Sequence, residues 1–405
     1  MTSPKPETGS AAASDSRNRI EKLRSSPLPY LAGLLILVLV LFGSFLFSDK
    51  MLYGSDQIAG LDSKVLLKES FTKFGQFPMW LSTRLGGMPS LDASFGDALY
   101  PPSIILTYLF PVHRMLGLKL VLHVLLAGLL FYLMLVKGFG CSRLVGFVGA
   151  AFYMLSPQFV SHVYPGHDAK MFVIAWLPFI VWRMKTLMES PGPLNASLPA
   201  LGIAIALFTN HPQMTYYMLW GLFLYWVFSL VMQWREHRNP KRLVAPGLWF
   251  WGAVFVGIGM AFVQLYPTYQ FVRDAHSVRG VDRGMEFAAS WSMHWPELFS
   301  LWVPEFGNHL DYYWSENFFK LNTEYAGAMA LLLGVLAIVY RPRPWRVFWG
   351  AIAVLAAAYS MGAHLPVWHL AYHVVPMVNK FRAAGMMMFW FSFGTSLLAA
   401  LFLRD

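Results

Sequence analysis

Residues 30–47 read YLAGLLILVLVLFGSFLF, an uninterrupted apolar run that Tyr53-Gly-Ser-Asp56 soon follows. At a rise of about 1.5 Å per residue, a helix of this length is long enough to cross a hydrocarbon core of about 30 Å. The run is too long for a signal peptide and lacks a small-residue cleavage pattern, so we interpret it as an uncleaved anchor. The polar loop that contains Asp56 therefore begins at a membrane surface.

The composition is typical of a polytopic membrane protein. Hydrophobic residues make up 57% of the sequence and charged residues only 13%, whereas soluble domains carry about 25% charged residues. The net charge of +10 comes from short Lys and Arg clusters between apolar runs, which argues against a nucleic-acid partner. A single cysteine, Cys141, excludes an internal disulfide and a cysteine-based zinc site.

The apolar pattern predicts an all-α bundle of about ten transmembrane helices within residues 29–405. Residues 1–28 are predicted to form a disordered basic tail on the cytoplasmic side. The predicted spans are residues 30–47, 115–136, 144–160, 171–188, 195–209, 213–233, 246–266, 325–340, 346–361 and 384–403.

Loop charges determine the predicted orientation. With the tail inside, every short inner loop carries Lys or Arg, as the positive-inside rule requires. The outer segments hold 15 of the 21 acidic residues. In the first outer loop, Leu61, Val65 and Leu66 share one face of an amphipathic helix that we expect to lie along the membrane surface. The three long loops, all on the exterior face, are residues 48–114, 267–324 and 362–383.

Asp56 is the leading candidate for a catalytic residue. A carboxylate just past a span either ends the helix in water or acts as a general base that removes a proton from an acceptor hydroxyl. Asp97, the second notable acid, either caps an interfacial segment or holds a metal ion or a sugar hydroxyl. Mg²⁺ or Mn²⁺ bound through Asp56 and Asp97 stays open as a cofactor.

The segment GHDAK at residues 166–170 collects a donor, an acceptor and a cation at a predicted helix start. Such a turn suits an anion, because free N–H groups and the helix dipole favour negative charge, so we slightly favour phosphate binding by His167 and Lys170. The alternative is an interfacial lysine anchor with Asp168 as the helix cap. Arg382, before the last span, either snorkels to the interface or grips a phosphate through its planar guanidinium.

Three further sets of polar residues are candidates. His211 and Gln213 lie in a turn at membrane depth, where they either satisfy a helix break or recognise a sugar. Glu324 lies at the predicted start of span eight, where the helix dipole alone would stabilise it. His369 and His373 are spaced to share a helix face, but no metal motif accompanies them, so we do not expect zinc.

Taken together, these residues resemble the YfhO-like bacterial membrane proteins, which are grouped with the GT-C class of glycosyltransferases. Each motif is weak alone, and the specificity comes from their order along residues 53 to 382. The motifs are Gly54-Ser-Asp56, Gly87-Met-Pro89, Tyr100-Pro-Pro102, Gly166-His-Asp-Ala-Lys170, Asn210-His-Pro-Gln213 with Tyr216-Tyr217, Tyr325-Ala-Gly327 and Phe381-Arg382.

The resemblance implies a multi-pass glycosyltransferase of the bacterial inner membrane, with its active site on the exterior (periplasmic) face. A polyprenyl-phosphate-linked sugar would pass, with inversion, to an acceptor hydroxyl of a cell-wall polymer or lipid glycan. GT-C enzymes place a catalytic Asp in the first exterior loop, and Asp56 matches that position. The donor phosphate is assigned to Arg382, Lys170 and His167, and the sugar or acceptor to Asp97, Asp168, His211, Gln213 and Glu324.

Departures from the family pattern keep alternatives open. The paired acids found after the first span of several GT-C members are absent, so Asp56 has no adjacent partner. Family members are often longer, so we expect an abbreviated or truncated form. A lipid or glycan transporter or flippase would need polar groups through the midplane, where His123 is nearly the only ionisable residue expected. A non-catalytic assembly partner that uses the Trp- and Tyr-rich outer loop is the remaining alternative.

Overall fold

The computed structural model describes residues 26–84, 86–91, 96–273, 283–304, 306, 312–318 and 320–405. The predicted tail, residues 1–28, lies almost entirely outside these described residues. The described part of the chain is mostly helical. Its one two-stranded sheet pairs β1 (Trp80–Leu81) antiparallel with β2 (Met88–Pro89).

Each of the ten predicted apolar segments contains helix. In chain order the helices are α1 (Leu28–Leu46), α2 (Ser55–Ala59), α3 (Leu61–Glu69), α4 (Pro101–Leu109), α5 (Val112–Leu133), α6 (Arg143–Met154), α7 (Pro157–Val160), α8 (Asp168–Glu189), α9 (Pro193–Phe208), α10 (Pro212–His237), α11 (Lys241–Met260), α12 (Phe262–Arg273), α13 (Gly284–Ala289), α14 (Ala328–Val339), α15 (Pro344–Ser360), α16 (Pro366–Val374) and α17 (Met388–Arg404).

Six helical segments of the described chain are long and apolar enough to cross a membrane. The bent pair α6 and α7, with an angle of 43° between its halves, brings the number of candidate spans to seven. The chain is therefore a multi-pass membrane protein, whereas the count of ten spans stays a prediction. The six segments are Leu28–Leu46, Val112–Gly138, Asp168–Glu189, Pro212–His237, Lys241–Met260 and Ala384–Arg404.

The bundle is built around its last helix. In the apolar window of α17, 78% of the residues are buried, against 22% for α1 at the edge of the bundle. The α17 helix packs against α14, α15 and α6, while α5 packs against α6 and α8. Gly221 lets α10 approach the same core, because a Cβ there would lie 2.1 Å from the Trp390 ring.

The first exterior loop lies over the bundle, and α3 is its predicted amphipathic helix. The face of α3 that contacts the protein carries two lysines beside the buried Leu67: Lys64 pairs with Asp97, and Lys68 donates to the Thr107 carbonyl at 2.8 Å. Its apolar face points outward, with Val65 40% exposed. This arrangement is typical of a helix that lies along a membrane surface.

Backbone hydrogen bonds join the second exterior loop to the end of α15 and to the third exterior loop. The N–H of Met293 donates to the Ser360 carbonyl at 2.8 Å, and the N–H of Ala383 donates to the Ser290 carbonyl at 2.9 Å. Ala383 is left-handed (φ +59°), a conformation that costs a non-glycine residue about 1–2 kcal/mol. These contacts determine where Arg382 lies, immediately before Ala383.

Candidate functional site

Two glycine motifs of the sequence meet beyond the end of α1. A Cβ on Gly54 would lie 2.8 Å from the Gly166 backbone, and a Cβ on Gly166 (φ +76°) would lie 2.6 Å from Cγ of Gln57. Because neither residue has a side chain, the two backbones approach closely enough for the N–H of Asp56 to donate to the Pro165 carbonyl at 3.0 Å. Asp56 is thereby placed beside the turn that precedes α8.

Asp56, His167 and Lys170 form a chain of polar contacts. Oδ2 of Asp56 is 3.1 Å from Nε2 of His167, and Nδ1 of His167 is 3.2 Å from Nζ of Lys170. An ammonium group only donates hydrogen bonds, so Nδ1 accepts from Lys170 and the ring proton lies on Nε2, directed at Asp56. The carboxylate is therefore oriented while its side chain stays 59% exposed.

Electrostatics favour the ionised form of Asp56. The hydrogen bond from His167, supported by the charge of Lys170, lowers the pKa of Asp56 even though partial burial opposes this shift. Burial lowers the pKa of His167, which favours the neutral imidazole. Near neutral pH the site therefore presents a carboxylate held by a neutral histidine, which is the state that a general base requires.

Two cations, Lys170 and Arg382, lack a carboxylate ion-pair partner among the described residues. Lys170 contacts His167 and lies within electrostatic range of Asp56, Glu324 and Arg382. The side chain of Arg382 is exposed. We call Asp56, His167, Lys170, Glu324 and Arg382 the Asp56 cluster: these are two carboxylates, an imidazole and two cations from distant parts of the sequence.

Helix α10 holds the segment that carries Arg382. The amide of Gln213 is buried and donates to the carbonyl of Arg382 and to the hydroxyl of Tyr217, the latter at 3.0 Å. Nδ1 of His211 accepts from the N–H of Met214 at 3.3 Å and caps α10. These contacts match a helix break satisfied by its neighbours, the first of the two sequence-based interpretations. Sugar binding by His211 or Gln213 stays a prediction.

Glu324 lies four residues before the start of α14, so the helix dipole does not account for it. Its Oε1 is 3.4 Å from Nζ of Lys320, while its buried Oε2 has no hydrogen-bond partner among the described residues. Burial raises the pKa of Glu324, and the charge of Lys320 partly offsets this effect. A buried oxygen without a partner is costly, and here it can accept a hydrogen bond from a bound hydroxyl.

Asp97 and Asp168 belong to a separate ion network centred on Lys119. The fully buried Nζ of Lys119 is 2.7 Å from Oδ2 of Asp97 and 3.0 Å from Oδ2 of Asp168. Asp97 also contacts Lys64 and the hydroxyl of Ser103. Burial alone would raise the pKa of Asp97, but the charges of Lys119 and Lys64 hold it well below its usual range.

This network gives both acids a structural role. The side chain of Asp97 is 2% exposed and already neutralised by cations, so its contacts do not favour a Mg²⁺ or Mn²⁺ ion shared with Asp56. Asp168 is the first residue of α8, and its Oδ1 accepts from the N–H of Ala169 at 2.7 Å, whereas the N-cap position is occupied by His167, so the predicted role of Asp168 as the cap is wrong. Sugar binding by Asp97 or Asp168 stays a prediction that these contacts do not favour.

Sequence analysis missed Lys119. This lysine lies seven residues inside α5, so His123 is not nearly the only ionisable residue there. A charged side chain inside an apolar helix is expected to be paired or to face water. By this rule, Lys119 could have been recognised from the sequence as a residue with a polar partner. The partners of Lys119 could not be predicted from the sequence, because Asp97 and Asp168 belong to two other segments of the chain.

The fold resembles that of a solved membrane enzyme. The archaeal oligosaccharyltransferase AglB from Archaeoglobus fulgidus, determined in complex with an inhibitory peptide and a dolichol-phosphate, matches with a TM-score of 0.51 and 12% sequence identity. The match covers 93% of this chain and 50% of AglB, so the chain spans half the length of that protein. No family model and no curated protein matches the sequence.

At 12% identity this likeness bears on the fold alone. It supports the expected helical fold, because AglB aligns over 93% of this chain, whereas the GT-C assignment stays a prediction. Membership of the narrower YfhO-like family stays a prediction.

Lys119→Met tests the buried network. The substitution leaves Asp97 and Asp168 without their shared partner, and breaking a buried ion pair costs roughly 3–5 kcal/mol. We expect a clearly lower midpoint of thermal unfolding in detergent. Lys73→Met, which removes the exposed partner of Glu69, is the matched control and should change the midpoint little. An unchanged midpoint for Lys119→Met would contradict the network.

Gly54→Ala tests the close approach of the two glycine motifs. The added methyl group collides with the Gly166 backbone and should break the hydrogen bond from Asp56 to Pro165. Amide hydrogen exchange at Asp56 should then accelerate about fivefold, as expected for a loss of about 1 kcal/mol. Gly247→Ala is the control, because a Cβ there has no neighbour within 4 Å. Equal exchange at Asp56 in both variants would refute the contact.

Proposed function

We propose that this membrane protein is a glycosyltransferase that moves a sugar from a polyprenyl-phosphate donor to an acceptor hydroxyl, with Asp56 as the general base. The observation that carries the proposal is the Asp56 cluster, in which an oriented and partly exposed carboxylate interacts with His167 and Lys170, and Lys170 in turn lies within electrostatic range of Arg382. The carboxylate suits proton removal, and the cations suit a phosphate. The fold shared with AglB, whose structure contains a dolichol-phosphate, supports a lipid-linked donor.

On the acceptor side, Asp56 takes the proton of the attacking hydroxyl. The hydroxyl oxygen forms a bond to the anomeric carbon while the bond from that carbon to the phosphate oxygen breaks, and its electron pair leaves with the phosphate. Attack and departure on opposite faces invert the configuration. His167 acts as a positioning residue, because its two ring nitrogens already bridge Asp56 and Lys170. We therefore prefer this role to direct phosphate contact by His167.

On the donor side, Arg382 and Lys170 bind the phosphate, which gains negative charge as the sugar leaves. Cations placed where charge develops stabilise the transition state more than the ground state. The guanidinium of Arg382 offers a planar pair of donors, whereas Lys170 acts as a point charge. The polyprenyl chain lies in lipid beside the bundle, and the buried Glu324 accepts a hydrogen bond from a hydroxyl of the sugar.

The proposal includes a location on the exterior face of the bacterial inner membrane. Asp56, Glu324 and Arg382 come from the three long loops, and the positive-inside rule assigns all three loops to the exterior. A cell-wall polymer or a lipid glycan is the acceptor class that this face offers. A cytoplasmic nucleotide-sugar donor would not reach the cluster.

Asp56→Asn is the direct test of the base. The amide keeps the size of the side chain but cannot accept a proton, so the turnover number should fall by about 10²–10⁴-fold. Transfer is measured on the purified full chain in detergent, with a labelled polyprenyl-phosphate hexose and a lipid glycan acceptor. Donor affinity should change much less than turnover.

Asp49→Asn is the matched control for this test. Asp49 lies in the same loop, is 93% exposed and is not part of the Asp56 cluster. It should retain full turnover. Asp56→Asn with the turnover of the unaltered protein would remove Asp56 from the chemistry.

Substitution of Arg382 tests the phosphate site. Loss of a charge-assisted contact of about 1.5–3 kcal/mol should raise the KM for the donor roughly 10- to 100-fold in Arg382→Ala. Arg382→Lys should recover part of this loss, since it keeps the charge but not the planar fork. Lys380→Ala, at an exposed cation two residues earlier, is the control. A donor KM unchanged in Arg382→Ala would contradict the assignment.

A further inference from the structure

Outside the Asp56 cluster, His294, Glu316 and His364 bring three metal-ligating groups together. Nδ1 of His294 is 3.0 Å from Oε2 of Glu316, and the ring centroids of His294 and His364 are 4.7 Å apart. One ligand atom from each residue lies within 4.8 Å of the other two. Among the described residues, no other group of three His, Cys, Asp or Glu side chains meets this distance.

The ligand set matches a transition-metal ion. Two imidazoles and one carboxylate form a known protein ligand set for Zn²⁺, whereas Mg²⁺ and Ca²⁺ prefer oxygen ligands. With bonds of about 2.0–2.2 Å, tetrahedral geometry separates ligand atoms by about 3.3 Å. The 3.0 Å separation of His294 and Glu316 is close to this value, so only the third ligand needs a small movement.

The backbone brings these ligands together. A Cβ on Gly362, whose φ is +54°, would lie 1.7 Å from Oγ of Ser292, so only glycine allows this contact. His294 and His364 each lie two residues beyond this point. A site whose segments are already in contact loses little conformational freedom when it binds an ion.

The surroundings leave room for entry and for a fourth ligand. The side chain of Glu316 is 71% exposed, while that of His294 is largely buried. An ion can therefore reach the three groups from solvent and retain a water molecule. Glu316 carries a negative charge there, which favours a cation over a neutral ligand.

We propose that His294, Glu316 and His364 bind one divalent transition-metal ion of the Zn²⁺ type, with water as the fourth ligand. The ion links the second exterior loop to the third. Arg382 belongs to the third loop, so the ion would strengthen the same loop pairing that places Arg382. The proposal does not depend on the transferase assignment, because its test measures metal binding alone.

The test is titration of the tag-free full chain in detergent with Zn²⁺, followed by calorimetry. We expect one high-affinity Zn²⁺ per chain. His294→Ala, Glu316→Gln and His364→Ala should each weaken binding by roughly tenfold or more, since even residues that only support a ligand cost about that much. His373→Ala is the matched control, an exposed histidine of the same loop, and should bind as the unaltered chain does.

Several outcomes would overturn the proposal: no stoichiometric binding, binding that survives all three substitutions, or equal loss of binding in His373→Ala. If a variant fails to fold, the proposal is tested by thermal unfolding of the unaltered chain with and without Zn²⁺. Zn²⁺ in excess should raise the unfolding midpoint, because an ion that binds the native state stabilises it. Mg²⁺ should not raise it. The absence of a Zn²⁺ shift, or an equal shift with Mg²⁺, would refute the site.

Discussion

The imidazole of His167, held between Lys170 and Asp56, is the interaction on which the proposed chemistry depends. It orients the carboxylate, directs a proton at it and keeps it ionised. That geometry needs the turn before α8 to lie against the loop after α1, and the backbone contact between Gly54 and Gly166 provides this. A single methyl group at either glycine would separate the two sides of the site.

Charge pairing distinguishes the acids and bases that stabilise the fold from those that can contact a ligand. Asp97 and Asp168 share the buried Lys119, and their charges are compensated inside the protein. Removal of charges from water is tolerated only with such compensation, so this network anchors the first helical turn of α8. Lys170 and Arg382, in contrast, have no carboxylate ion-pair partner among the described residues, and in the proposed function the donor phosphate supplies the opposite charge.

The exterior loops act together rather than as independent connections. Gln213 of α10 binds the carbonyl of Arg382, and Ala383 binds Ser290 in the second loop, so the arginine is held from two sides. The group formed by His294, Glu316 and His364 lies at the same junction of loops. Fixed loops matter because a cation that moves freely would lose its preorganised position around a leaving phosphate.

The sequence determined what local composition can encode: the apolar helices, the long loops between them and the choice of Asp56, His167, Lys170 and Arg382 as candidates. It did not reveal that Lys119 pairs with Asp97 and Asp168, that Glu324 precedes its helix, or that His364 rather than His369 approaches His294. Helical periodicity links residues three or four apart, whereas these contacts join segments far apart in the chain. Only the packing of the helices brings such side chains together, and packing therefore decided which polar residues are structural and which can bind a ligand.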